Sequence, residues 1–475
     1  GGEIDSTNGL FEVAGGSGTL DDLEVTGDIE IQGGRDLFIR GGLTMDGELI
    51  VNRDGSTSAA RLLMSTSDTL DGDMTITLFD SSASAVGRAQ IINAVGGVST
   101  TFGPALLIRG SGLLAATFTN EGIISADDDG RELAISGVAK INNGRMEATD
   151  SGRLRIGTQV NQGPTGQIVA DGGEVRLIST IAGGEIDSTN GLFEVAGGSG
   201  NLNDVERVTG DIEIEGGRDL FVRGDLTMDG TIIVNRDGNT SSTRLLHATS
   251  GTIDGTGEIF LNDTVLTSTV GRAQFIHAAG GLSTIVGPDV AITGNGRING
   301  IYTLQGTISP GKAGAAFGET GILEINGTYT WGDASTTRIQ IGGRGNGDFD
   351  RVIGSSTITV DGTLEAEIVD GFEPDTCENF VVISGSTVSG TFETFVPPAA
   401  VGNIRWRLFY SGTSVDLRAT CTADIDGDCT LTVFDFLAFQ NLFDAGSIEA
   451  DFDGSGTLNI FDFLAFQNAF DGGCS

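Results

Sequence analysis

Two stretches near the end of this 475-residue chain set oxygen-bearing side chains at alternate positions, the spacing that a hard cation requires. In ADIDGDCTLTVFDFLAFQNLFD, Asp424, Asp426, Asp428, Thr430, Thr432 and Asp435 fall at positions 1, 3, 5, 7, 9 and 12 of a loop. In ADFDGSGTLNIFDFLAFQNAFD the same positions hold Asp451, Asp453, Ser455, Thr457, Asn459 and Asp462. Calcium gathers six to eight oxygens at close range; the alternation turns every other side chain inward, and position 7 offers its carbonyl. The pattern predicts two bound Ca2+ ions, one in each loop. Other chemistry is sparse. Asp127-Asp128-Asp129 with Arg131 is the nearest approach to a carboxylate site, and it reads more simply as an acidic turn before a strand. His247 and His277 are the only histidines. Each is replaced in a duplicated stretch, by Met64 and Asn93, so neither is expected to act as a catalyst or ligand. No catalytic residue is predicted.

The elements that must hold the loops are two short helices, because FDFLAFQN after each loop has helical period. They carry Phe434, Phe436, Phe439 and Phe443, then Phe461, Phe463, Phe466 and Phe470. With Leu437, Leu442 and Leu464 these spread over more than one helical face, more apolar area than two short helices can hide from each other. The surplus should pack on the rest of the chain or dock onto another molecule. Residues 421–475 resemble a type I dockerin, a tandem pair of calcium-loop and helix segments. Two positions depart from that pattern. Loop position 6, usually glycine for a sharp turn, is Cys429 in the first loop and Gly456 in the second. Val433-Phe434 and Ile460-Phe461 stand where dockerins carry the small hydroxyl pair that contacts cohesin.

Before this module the chain is organised by a repeating phrase. NEG-IISA at Gly122, NNG-RMEA at Gly144, PTG-QIVA at Gly166 and AGG-EIDS at Gly184 alternate with DGRELAI at Gly130, SGRLRI at Gly152 and GGEVRL at Gly173. Each is a glycine turn followed by a run of alternating apolar residues, the mark of a half-buried strand. Two such strands recur about every 20 residues, and no single repeat can bury its apolar face alone. Successive repeats must stack into one column. Residues 1–104 and 183–288 are near-copies sharing GDIEI, GGRDLF, LTMDG and IVNRDG. The offset approximates a whole number of coils, so a duplication fits the stack. Arg35 and Arg218, Arg53 and Arg236, and Arg88 and Arg272 correspond between the copies and are expected to pair with acids on neighbouring coils. The opening phrase GGEIDSTNGLFEVAGG recurs from Gly183 to Gly198, so the first residue reads as an internal coil exposed by cleavage or truncation.

From Pro288 the spacing loosens and aromatics gather, among them Tyr302, Phe317, Tyr329, Trp331, Phe349, Phe372, Phe380 and Trp406. Residues 289–420 read as C-terminal coils and a cap that protects the open edge of the stack. On NEGIISA, TISPG at Thr307 to Gly311, GDFDRV at Gly347 to Val352 and VSGTFE, residues 1–420 resemble autotransporter-type adhesin passengers and related secreted β-helix proteins. The resemblance implies an all-β chain, a right-handed parallel β-helix, followed by the small helical module. The domain reading is therefore 1–288, 289–420 and 421–475.

Composition narrows the function. The formal charge is −39, from 65 acids against 26 bases, which repels phosphate backbones and anionic lipid, so no nucleic acid partner is expected. No apolar run reaches the length of a membrane span. Four cysteines, Cys377, Cys421, Cys429 and Cys474, cluster around the module, which points to two disulfides and an oxidising, extracellular or cell-surface setting. Spacing does not choose among the three possible pairings; Cys377 with Cys421 and Cys429 with Cys474 is taken as the working expectation. The chain thus reads as a secreted, non-enzymatic structural rod that assembles head-to-tail into filaments, or docks a protein receptor, through the calcium module. A surface adhesin and a cohesin-docked glycan-active enzyme, a polysaccharide lyase or hydrolase, are the alternatives.

Overall fold

The computed structural model describes residues 1–80, 87–264, 271–311, 320–399 and 404–473; Phe317 and Cys474 lie outside them. The chain forms two compact units, one of Gly1–Thr264 with Gly271–Val290 and one beginning at Ala291.

The first unit is a parallel β-solenoid. Inward side chains line up in register from coil to coil, so that Ile108, Ile124, Met146, Ile168, Ile186, Val208 and Met228 form one buried column. Leu133, Leu154, Val175, Phe193, Ile212, Ile232 and Ile259 form a second. The repeat phrases predict two strands per coil; the structure has three. The third is only three residues long in Phe118–Asn120, Lys140–Asn142 and Val160–Gln162, too short to display an alternation. It supplies a third column, Lys140, Val160, Ile181, Leu202 and Val222. At its end Asn120 Nδ2 donates to Asn142 Oδ1 at 2.8 Å, and Asn142 Nδ2 to Gln162 Oε1 at 3.3 Å, an amide ladder that keeps buried turn groups paired.

The near-copies repeat their contacts. Ser6 Oγ donates to Asp28 O at 3.0 Å, and Ser188 Oγ to Asp211 O at 2.6 Å. Arg61 forks onto Asp36 and Arg244 onto Asp219, each across adjacent coils. Arg53 meets Glu30, Arg236 meets Glu194 and Glu213, and Arg218 meets Glu215. Gly210 shows why the glycine phase is strict: its φ is +81°, and a Cβ there would lie 2.6 Å from Thr189 N of the preceding coil.

In the second unit Ala291–Leu304 runs in register with Ile322–Trp331, stacking Tyr302 on Tyr329 with ring centroids 5.6 Å apart. Both polar tips of the fully buried Tyr329 and Trp331 are paired: Tyr329 Oη donates to Ile298 O at 2.7 Å, and Trp331 Nε1 to Thr337 Oγ1 at 2.9 Å. The parallel order then ends. Glu378–Ser384 and Ile404–Tyr410 flank Ser414–Cys421, and both pairings are antiparallel. Trp406 lies 6.0 Å from Phe380 in the core beneath them.

Candidate metal centre

The acidic loops follow directly from the strand Ser414–Cys421. Helix α1 spans Val433–Asp444, and after a short 3-10 turn at Ile448–Ala450 the second loop leads into helix α2, Ile460–Gly472. Each helix starts inside its loop. Position 9, Thr432 or Asn459, is the N-cap, and position 12, Asp435 or Asp462, is the third residue of the helix, closing a capping box. A polar residue followed three places on by an acid was readable in both loops as that signal.

Two buried carboxylates organise the loops. Asp435 Oδ1 accepts from Ile425 N at 2.8 Å and Oδ2 from Thr432 N at 2.8 Å. Asp462 Oδ1 accepts from Asp453 N at 3.2 Å and Oδ2 from Asn459 N at 2.8 Å. Position 6 points its N–H at position 1 in both loops: Cys429 N donates to Asp424 Oδ2 at 3.1 Å, and Gly456 N to Asp451 Oδ2 at 2.7 Å. Cys429 takes the left-handed backbone of its glycine counterpart, with φ of +70° against +76° for Gly456.

Of the predicted ligands, the first loop brings carboxylate oxygens of Asp424, Asp426 and Asp428 within 4.8 Å of one another, and the second does so for Asp451, Asp453 and Asp462. The remaining side chains make local bonds. Thr430 Oγ1 donates to Asp428 Oδ1 at 2.6 Å, Ser455 Oγ to Thr457 O at 3.2 Å, and Asn459 Nδ2 to Thr457 O at 2.9 Å. Thr432 Oγ1 and Asn459 Oδ1 accept the helix N–H groups of Phe434 and Phe461.

These donors fit a hard cation. Asp424 is 0% exposed, yet among the described residues its Oδ1 has no hydrogen-bond partner. A buried carboxylate oxygen without a donor carries the full cost of lost hydration, which a bound cation would remove. Burial pushes the Asp424 and Asp426 carboxyls above the ordinary range, and the negative charge of Asp435 adds to both shifts. The donor set is all oxygen, which suits Ca2+ over softer metals.

The module is fastened to the strands before it by Arg418, which carries no sequence signal, and by a disulfide. Arg418 Nη1 donates to Gly427 O at 2.9 Å while its guanidinium lies 4.1 Å from the centre of the Phe409 ring. Cys377 and Cys429 form a disulfide with Cα atoms 5.7 Å apart. This corrects the expected pairing of Cys377 with Cys421 and Cys429 with Cys474. Cys421 turns instead into the apolar cluster of Ala423, Ile425, Phe439, Ala450 and Phe466, where it is itself disulfide-bonded, while Cys429 on the loop turn faces Cys377.

Phe439 and Phe466 stack face to face at 4.3 Å in the centre of the module. The apolar surplus does not fold back. Phe434 is 64% and Phe461 63% exposed, and Val433, Leu437, Ile460 and Leu464 are exposed beside them. The same three helix positions are therefore bare after each loop.

The Asp127 to Asp129 turn is occupied by its own neighbours. Asp127 Oδ1 accepts from Gly110 N at 2.9 Å, and Asp128 Oδ2 from Ser111 Oγ at 2.7 Å and Arg131 Nη1 at 3.1 Å. His247 is buried, with Nδ1 2.6 Å from Thr284 Oγ1 and Nε2 3.0 Å from Gly224 O.

No family profile matches the sequence, and no curated protein matches it. Among solved structures the chain is similar to the Hap adhesin of Haemophilus influenzae, at 12% identity and a TM-score of 0.30. The similarity covers 86% of this chain and 64% of that one, so the chain spans less than two thirds of that structure's length. At that identity and score it assigns neither activity nor partner.

Proposed function

We propose that this chain is a secreted, non-enzymatic structural protein in which a β-solenoid carries a dockerin-like module, folded around two Ca2+ ions, that docks it onto a protein partner. The observation that carries the reading is the repeated bare apolar triplet, Val433, Phe434 and Leu437 after the first loop and Ile460, Phe461 and Leu464 after the second. Exposed aromatic and aliphatic side chains in matched positions on a small module are a binding surface more readily than a solvent face. Asp424, Asp426, Asp428 and Asp435 would hold one ion and Asp451, Asp453 and Asp462 the other, with Thr430, Thr432, Ser455, Thr457 and Asn459 completing the oxygen set. Bound calcium neutralises the converging carboxylates and so fixes the first turn of each helix, where the apolar triplets begin.

Charge selects the partner. Ten acidic residues and no Lys, Arg or His follow Arg418, so the module stays net negative even with two Ca2+ ions bound, which suits an apolar surface with a basic border. Head-to-tail contact between copies, the other arrangement expected from the sequence, would bring together chains that each carry −39. A receptor is therefore favoured over a filament. An extracellular setting is supported by the Cys377–Cys429 disulfide.

Surface plasmon resonance of the full chain against proteins from the surface of the source cell, in calcium and in chelator, tests the reading. Binding should vanish in chelator and in the double variant F434S/F461S, whose fold is unchanged because both side chains are exposed. Binding that survives both treatments would remove the module from the docking role. Release of sugar from acidic or neutral polysaccharides by the purified chain would overturn the non-enzymatic part.

A further inference from the structure

We propose that the Cys377–Cys429 disulfide sets the calcium affinity of the first loop, so that one of the two metal sites responds to redox state and the other does not. The inference rests on the calcium reading above. Its basis is loop position 6, whose left-handed backbone aims an N–H at the position 1 carboxylate. Glycine reaches that conformation freely in the second loop, at Gly456. Cysteine does not, because its Cβ crowds the carbonyl oxygen. In the first loop the disulfide holds Cys429 in place. Its other half is equally constrained: Cys377 has φ of +70°, and its N–H donates to Ala419 O at 2.6 Å, tying it to the strand that enters the loop. Two left-handed, non-glycine residues joined by one bond mark a backbone that the crosslink maintains.

The consequence falls on Asp424. Cys429 N–H holds Oδ2, the buried Oδ1 has no hydrogen-bond partner among the described residues, and a carboxylate oxygen of Asp424 lies within 4.8 Å of those of Asp426 and Asp428. Reduction by an external dithiol transfers two electrons and two protons to the sulfurs of Cys377 and Cys429, giving two thiols while the dithiol closes to its own disulfide. Both cysteines are partly exposed, so a dithiol can reach them. Cys429 is then free to leave the left-handed region, its N–H swings off Asp424, and the first site loses its arrangement. The second loop contains no cysteine, and the space around Gly454 and Gly456 is open.

Calcium titration calorimetry of the full chain decides the matter. The oxidised protein should show two sites, and D451A/D453A identifies the second by removing it. Cys377→Ser, which leaves the disulfide of Cys421 alone, should weaken the first site about ten-fold and leave the second unchanged. Cys377→Ser combined with Cys429→Gly should restore the first site, because glycine adopts the turn without a crosslink. Should Cys377→Ser misfold by circular dichroism, mild dithiol treatment of the wild type gives the same comparison. Two sites untouched by loss of the crosslink, both weakened alike, or no rescue by glycine would overturn the proposal while leaving the calcium reading intact. A chain that takes up no calcium would overturn both.

Discussion

Replacing Lys140 by methionine should stabilise the solenoid at neutral pH, and the gain should disappear in alkali. Lys140 occupies an inward position in register with Val160 and is 0% exposed. Among the described residues its Nζ has no hydrogen-bond partner, and it lies 5.3 Å from the centre of the Phe118 ring. Burial lowers its pKa from 10.5 to about 8. At about 1.4 kcal/mol for each tenfold, holding the ammonium in the core costs about 3 kcal/mol at pH 7 relative to the unfolded chain. The sign follows from proton binding. Between pH 8 and 10.5 the unfolded lysine keeps its proton while the folded one has lost it, so wild-type stability rises through that window and is flat below it. Methionine has nearly the same shape and no charge, so it removes both the cost and the slope. Urea unfolding followed by circular dichroism, at pH 7 and pH 10.5 with calcium fixed, should show a higher midpoint for K140M at pH 7 and near coincidence at pH 10.5. An equal shift at both pH values would mean that packing, not charge, explains the gain. Destabilisation at pH 7 would mean that the ammonium has a favourable partner and that the reasoning is wrong.

Three further outcomes are expected. Burial lowers the pKa of His247, so the folded state holds it neutral and its contribution is present above the ordinary value of 6.5 and lost as pH falls below it; H247M, which installs the residue of the first copy, should move the acid-unfolding midpoint to lower pH. Gly210→Ala forces a side chain into a left-handed position against the neighbouring coil and should cost at least about 1–2 kcal/mol, read as a lower thermal midpoint, with a neutral result refuting the glycine-phase argument. Asp462→Ala removes a buried carboxylate that accepts Asp453 N–H and Asn459 N–H, so α2 should lose at least about 1 kcal/mol in its cap, and helical ellipticity should fall while the β signal stays.

The sequence by itself determined the stacking and the loops, because both are written in spacing. Glycine phase and apolar alternation specify which side chains face inward, as the unbroken column from Ile108 to Met228 records. Oxygen-bearing residues at alternate positions specify the acidic loops in the same local way, and the polar residue and acid at positions 9 and 12 specify where each helix begins. What the tertiary structure alone decided is everything that depends on which distant residues meet. The third strand of each coil is too short to have a period and exists because its neighbours above and below pair with it. The pairing of Cys377 with Cys429 follows from an antiparallel strand that carries Cys377 to the first loop while Cys421 points into the aromatic cluster. Helical period showed too many phenylalanines for one core; only packing distinguished Phe439 and Phe466, stacked inside, from Phe434 and Phe461, left in water. Spacing fixes the direction in which a side chain points, whereas burial depends on what arrives from elsewhere in the chain to cover it.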